Sequence, residues 1–188
     1  MKQAEIIKNL TDKQIREQLY VTQFIFIIIS LLLSLFLFDS FSTWKYLFSV
    51  QFMQIILFGV VPALGLVGIE IILSKIIAAH HLDDGGINER VFKNQSVFHI
   101  FCISMIVAIS EEVLFRGVIQ TTFGFVFAST LFIIVHFRYL KKPVLLIAII
   151  ITSFGIGYLY EVTNNLLVTI VFHFIVDFLL GLYIKFRK

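Results

Sequence analysis

Charged and imidazole side chains stand inside apolar runs in the second half of the chain. They are Glu111, Glu112, Arg116, His136, His173 and Asp177. Each ionised group near a bilayer centre costs roughly 2.5–3.5 kcal/mol, so such groups normally face a bundle interior or a wet cavity and mark a functional site. A carboxylate or an imidazole in such a place can take a proton from water, and a protonated imidazole can donate a hydrogen bond to a developing oxyanion.

The spacing of these residues assigns them to helix faces. Glu112 and Arg116 are four residues apart, so they share one face of a helix and can form an ion pair. Glu111 is rotated by about 100° from Glu112 on an α-helix and points elsewhere. Three helices can therefore bring the remaining polar groups to one point, namely Glu111, His136, His173 and Asp177.

Two other interpretations of this cluster stay open. The side chains could form interhelical hydrogen bonds that hold a bundle together. Such bonds average less than about 1 kcal/mol, so burying this many polar groups in the membrane would be a costly way to obtain them. They could also form a zinc site, since catalytic zinc commonly has three ligands of these types. The two histidines lie on different predicted helices, unlike the helical zinc signature with histidines four residues apart.

The composition predicts the elements that position the cluster. Hydrophobic residues make up 59% of the 188 residues, whereas a soluble domain is usually about 45–50% apolar. We predict an all-α fold, a polytopic transmembrane helical bundle of about six spans. The predicted spans cover residues 19–38, 46–72, 97–119, 123–136, 144–160 and 166–184. A tail of residues 1–18 precedes a single transmembrane domain, 19–188, whose motif-bearing core is 97–184.

The basic residues predict the orientation of the chain. They concentrate in alternate loops, namely 1–18, 75–95, 138–142 and 185–188. The other links between predicted spans, 39–45, 119–123 and 161–165, together hold one basic residue, Lys45. By the positive-inside rule, both termini are cytoplasmic in a multi-pass protein of the cell membrane. The net charge of +3 is modest and forms no basic stripe with interleaved aromatics, so we expect the lipid bilayer and no nucleic acid as a partner.

Three ordered motifs resemble a known family. Residues 111–116 fit E-E-x-x-x-R, residues 132–136 fit F-x-x-x-H, and residues 173–177 fit H-x-x-x-[N/D]. In this order, and each in an apolar helix, they resemble the CAAX-protease and bacteriocin-processing family, also called the Abi family. The resemblance implies an intramembrane endopeptidase that acts on a membrane-associated peptide or protein and uses a glutamate-activated water without a metal or another cofactor.

The resemblance also implies a role for each motif residue. Glu111 would activate the water with help from His136, and His173 and Asp177 would form the oxyanion-stabilising side. Glu112 and Arg116 would be a supporting pair that lies outside the chemistry. Asp177 stands where Asn is common in the family, so it can either donate when protonated or accept from His173 and keep that ring charged.

Other functions fit the same residues. The chain could be a non-catalytic membrane partner or a bacteriocin-immunity protein that keeps the fold without turnover. A small proton-linked transporter could also use buried acids, but the chain shows no internal repeat of the kind that many transporters have. The complete set of motif residues favours the peptidase. The small size and the Ile, Phe and Lys usage are typical of a bacterial protein.

Overall fold

A computed structural model describes residues 9–187, and these residues form helices and connecting turns without β-strands. In chain order the helices are α1 (Asp12–Leu37), α2 (Ser42–Leu47), α3 (Phe52–Ile76), α4 (Ala79–Leu82), α5 (Ile87–Phe92), α6 (Val97–Phe123), α7 (Phe125–Val135), α8 (Pro143–Thr163) and α9 (Leu166–Phe186). Within this part of the chain, five helices are long and apolar enough to cross a membrane, namely α1, α3, α6, α8 and α9. The predicted all-α, polytopic bundle is confirmed.

Two predicted boundaries differ from the structure. Helix α1 begins at Asp12 because Thr11 caps it and forms a reciprocal capping box with Gln14. The predicted tail is thus helical from residue 12 onward, while residues 1–8 lie outside the described part of the chain. Helix α3 begins at Phe52 rather than at residue 46, because residues 46 and 47 belong to the separate helix α2, which ends at Leu47.

Helix α7 covers 11 of the 14 residues predicted as a span at 123–136, and it is too short to cross a bilayer. Its 11 residues rise only about 16 Å, whereas the hydrocarbon core of a bilayer is about 30 Å thick. The helix starts after Gly124, whose φ of 88° lies in the left-handed region that glycine adopts without strain. It ends at Val135, with His136 as its C-cap. The apolar run that predicted a sixth span therefore forms a helix about half as long as the hydrocarbon core is thick.

Close packing against α8 fixes the position of α7. A Cβ on Gly157 would lie 2.7 Å from both Phe125 and Ser129, so only glycine lets the two helices approach this closely. At the same level, the Ser153 hydroxyl donates to the Ser129 carbonyl at 2.9 Å. Ser129 and Ser153 are fully buried. These contacts hold α7 in place, and α7 in turn places His136.

Both described ends of the chain lie on the same face of the bundle. Asp12, at the start of α1, forms an ion pair with Arg90 of α5 at 2.7 Å. Lys185, near the end of α9, donates to the carbonyl of Gln95 at 2.6 Å. The ends coincide because α7 and α8 form a hairpin that returns the chain to the opposite face before α9. The assignment of this shared face to the cytoplasm stays a prediction from the loop charges.

Cysteine labelling tests this orientation. With Cys102 replaced by Ser, single cysteines introduced as His81→Cys and Val162→Cys occupy exposed positions near opposite ends of the bundle. We expect a membrane-impermeant maleimide, applied to intact cells, to label the second variant and to spare the first. After permeabilisation both variants should react. Labelling of both positions from outside would contradict the predicted topology.

Candidate active site

A buried ion pair lies at the centre of the motif helices. The Glu112 and Arg116 side chains are inaccessible to solvent, with Arg116 Nε 3.5 Å from Glu112 Oε2, as their spacing predicts. Arg116 also donates to the Ser153 carbonyl at 3.0 Å, and its guanidinium carbon lies 4.5 Å from the Phe132 ring centroid. A third residue that the spacing did not predict joins this pair. His173 Nδ1 lies 2.9 Å from Glu112 Oε1.

Glu111 faces in a different direction from Glu112, as the helical phase predicts. Its Oε2 lies 3.9 Å from Nε2 of His136. His136 Nδ1 lies 2.8 Å from the Phe132 carbonyl, which can only accept a hydrogen bond, so Nδ1 carries a proton. This backbone contact fixes the ring and leaves Nε2 directed toward Glu111. The pair therefore sets a carboxylate oxygen opposite an imidazole nitrogen across a gap too long for a direct hydrogen bond.

Gln23 of α1 is a site residue that the motif search missed. It is only 5% exposed, and its Nε2 donates to Glu111 Oε1 at 3.2 Å. The Ser110 hydroxyl lies 2.7 Å from Gln23 Oε1, so the amide oxygen faces Ser110 while the amide nitrogen faces Glu111. A signal was present in the sequence, since Gln23 is the single amide within residues 19–38. An unpartnered amide in hydrocarbon is costly, so it predicts an internal partner.

Replacing Gln23 with Met should lower turnover while the protein stays folded. Met has a similar length but cannot donate, so one oxygen of Glu111 loses the bond that orients it. Hydrogen bonds to charged groups contribute about 1.5–3 kcal/mol, so we expect kcat to fall roughly tenfold or more with little change in KM. Gln51→Met is the matched control, because Gln51 is an exposed glutamine outside the cavity lining. Equal activity of the two variants would show that Gln23 does not position Glu111.

A cavity of about 750 Å³ brings the predicted catalytic residues together. Its lining includes all four, namely Glu111, His136, His173 and Asp177. Two further charged residues line it that the motifs do not contain, Glu70 of α3 and Arg138 of the α7–α8 loop. Glu112 and Arg116 lie behind its wall. The fold thus separates one set of polar groups that a ligand can reach from a second set that it cannot.

His173 contacts a carboxylate at each ring nitrogen. Besides the Glu112 contact at Nδ1, its Nε2 lies 3.6 Å from Oδ2 of Asp177. A ring protonated on both nitrogens can donate in both directions. The Nε2 contact is longer than a hydrogen bond, so an N–H at this position is still available to a ligand in the cavity. Asp177 therefore lies beside the candidate oxyanion donor and on the same wall.

The side chains of the cavity are of the types that zinc prefers as ligands. Within residues 9–187 no group of three or more His, Cys, Asp and Glu side chains has an arrangement that could hold a metal ion. His173 directs Nδ1 at Glu112 and His136 directs Nδ1 at a backbone carbonyl, so the two imidazoles are oriented by protein contacts. Because an imidazole held at Nδ1 can still bind a metal through Nε2, the absence of a metal stays a prediction to be tested by experiment.

Comparisons with known proteins agree with this architecture. Residues 93–179, which contain all three motifs, match the family described as type II CAAX prenyl endopeptidase Rce1-like. A protein of Bacillus subtilis (strain 168), described as uncharacterized protein YpbD, is 37% identical over 167 residues, or 89% of this chain and 88% of the relative. No solved structure matches the chain.

The five long apolar helices make the chain a multi-pass membrane protein. The chain belongs to the Rce1-like family of type II CAAX prenyl endopeptidases, which confirms the resemblance. This family is a protease family, and at that level it supports the predicted peptidase. The link to bacteriocin processing and immunity stays a prediction from the sequence.

Proposed function

We propose that the protein is an intramembrane endopeptidase that hydrolyses a peptide bond of a membrane-associated peptide or protein with a water activated by Glu111. The observation that carries the proposal is the 3.9 Å separation of Glu111 Oε2 and His136 Nε2 at the wall of the cavity. A water can bridge two polar groups that are separated by more than 3.5 Å. Here the bridging water would lie between a carboxylate and an imidazole.

The proposed reaction assigns a step to each of these groups. Glu111 removes a proton from the water while its oxygen attacks the carbonyl carbon of the scissile bond. The oxyanion that forms accepts a hydrogen bond from Nε2 of His173, and Asp177 keeps that ring oriented and charged. The intermediate then collapses, the C–N bond breaks, and the proton held by Glu111 passes to the leaving nitrogen. His136 orients the water through its Nε2.

Because they are buried, Glu112 and Arg116 support the site in this proposal without contacting the substrate. They do not line the cavity, so neither reaches a substrate bound there. Glu112 holds Nδ1 of His173, which fixes the ring that presents Nε2 to the oxyanion. Arg116 balances the charge of Glu112 and ties α6 to α8 through the Ser153 carbonyl. The pair is thus a rigid support for the oxyanion side.

Labelled water tests the proposed reaction. The purified protein, reconstituted in lipid nanodiscs, is incubated with short N-palmitoylated peptides in water enriched in oxygen-18. We expect mass spectrometry to find one labelled oxygen atom in the new carboxyl group of each N-terminal product. The Glu111→Gln variant should give no product. Specific binding of the peptides without cleavage by the wild-type protein would favour a non-catalytic membrane partner instead.

We propose further that catalysis needs no metal or other cofactor. Activity should survive exhaustive treatment with a membrane-permeant chelator, because the proposed base acts on water directly. Elemental analysis of the same purified, active sample provides the second measurement. Zinc near one atom per chain, together with activity that chelation removes and zinc restores, would overturn this mechanism. Glu111 would then be a ligand or a base beside a metal-bound water.

A further inference from the structure

One acid of the cavity takes no part in the reaction proposed above. Glu70 of α3 lines the cavity, and among residues 9–187 its carboxyl group forms no hydrogen bond and no ion pair. An ionisable group within a membrane helix normally has a partner or a function. The groups that surround Glu70 therefore indicate what this side chain does.

Helices α3 and α9 lie side by side and run in the same direction. Near the start of both helices, a Cβ on Gly59 would lie 3.1 Å from the carbonyl oxygen of Val168. Near the end of both helices, the hydroxyls of Ser74 and Tyr183 are 2.9 Å apart. These two contacts fix the alignment of one helix against the other.

This alignment places Glu70 beside Asp177. Glu70 is four residues before Ser74, and Asp177 is six residues before Tyr183. Because an α-helix rises about 1.5 Å per residue, the two acids differ in level by only about 3 Å. Both line the same cavity, and Asp177 is close enough to act on Glu70 as a like charge.

The two acids differ in the cations that reach them. Asp177 Oδ2 lies 3.6 Å from Nε2 of His173, and Arg138 attracts Asp177 from a longer distance. In the described part of the chain, no cation acts on Glu70. The remaining charges that act on Asp177 are the carboxylates of α6, Glu111 and Glu112. Two carboxylates that face each other away from water do not both ionise readily, and the one without a cation is the better place for a proton.

We propose that Glu70 is a positioning residue that holds a proton and donates it through a water to Asp177, which thereby stays the carboxylate that orients His173. The inference rests on the hydrolysis proposed above, in which Nε2 of His173 donates to the oxyanion. Glu70 acts through Asp177 and does not touch the substrate. Loss of its proton would set two carboxylates against each other and turn Asp177 away from the ring.

Two substitutions of Glu70 should have different effects on turnover. Gln is neutral and can still donate, so Glu70→Gln imitates the protonated acid and should keep most of the wild-type kcat at neutral pH. Leu cannot donate, so Glu70→Leu should lower kcat about tenfold with little change in KM, as the loss of a hydrogen bond to a charged group implies. Glu17→Leu removes an exposed surface acid that pairs with Lys13, and as the control it should keep the wild-type kcat.

The pH dependence of kcat distinguishes positioning from packing. In the wild-type protein, Glu70 loses its proton as the pH rises, so cleavage of N-palmitoylated peptides in nanodiscs should slow on the alkaline side. In Glu70→Gln this decline should move to higher pH, where His173 loses its own proton. A side chain that only fills space would leave the alkaline side of the profile unchanged.

Infrared spectroscopy detects the proton without turnover. In the Glu111→Gln background at neutral pH, we expect a C=O band of a protonated carboxyl group. The band should shift when only glutamate carboxyl groups carry carbon-13, which distinguishes Glu70 from Asp177. Adding Glu70→Gln should remove it.

The possible outcomes separate this inference from the proposed function. A band that depends on Glu70, without cleavage of any peptide, would support the protonated acid and contradict the hydrolase. Absence of the band, or the same alkaline decline in the wild type and in Glu70→Gln, would overturn the role of Glu70 even if peptides are cleaved. If Glu70→Leu does not fold, the pH profile and the band still decide.

Discussion

Replacing Glu111 with Gln is expected to abolish peptide hydrolysis and to leave the protein folded. The substitution keeps the size and one acceptor oxygen of the side chain, but an amide does not take a proton from water. General-base catalysis contributes about 100- to 10,000-fold, so kcat should fall by at least two orders of magnitude. Turnover in nanodiscs and the melting temperature of the same preparation are the two measurements.

A matched substitution shows that the effect comes from this carboxylate. Glu17→Gln makes the same chemical change at an exposed residue of α1 that pairs with Lys13 on the surface. We expect this variant to retain wild-type kcat. Full activity of Glu111→Gln would refute the assignment of the base, and Asp177 or Glu70 would then be the candidate acids, since both line the same cavity.

Periodicity predicted the contacts within a helix, and packing decided the contacts between helices. The spacing of four residues correctly paired Glu112 with Arg116 and separated Glu111 from them. The bond from His173 to Glu112 and the bond from Gln23 to Glu111 join residues 61 and 88 positions apart. Spacing along one helix carries no information on such pairs, because they depend on how separate helices are rotated against each other.

Hydropathy also left the length of α7 undetermined. The run at 123–136 is apolar enough for a membrane helix, but its helix is bounded by Gly124 and by the turn at His136. The basic residues after this run were interpreted as a marker of loop orientation. The structure places one of them, Arg138, in the cavity. A basic residue at a helix end can therefore either mark a loop at the membrane surface or line a cavity, and the hydropathy pattern does not distinguish the two cases.

Replacing Arg116 with Leu is expected to lower the yield of folded protein. The change removes the guanidinium that pairs with the fully buried Glu112 carboxylate, which then keeps only His173 as a partner, and it removes the bond to the Ser153 carbonyl. Breaking a buried ion pair from one side costs about 3–5 kcal/mol, which is a large share of the 5–15 kcal/mol that stabilises a typical protein. Size-exclusion profiles and thermal unfolding in detergent measure the loss.

A double variant distinguishes how much stability is lost through the unpaired charge from how much is lost through poorer packing. If the cost of Arg116→Leu comes from the stranded carboxylate, adding Glu112→Gln should recover part of the melting temperature, because the buried negative charge is then gone. The recovered protein should still hydrolyse peptides slowly, because Glu112 lies behind the cavity wall and a Gln at this position can still accept from Nδ1 of His173. A double variant that is less stable than Arg116→Leu alone would show that Glu112 stabilises the fold through His173 more than through Arg116.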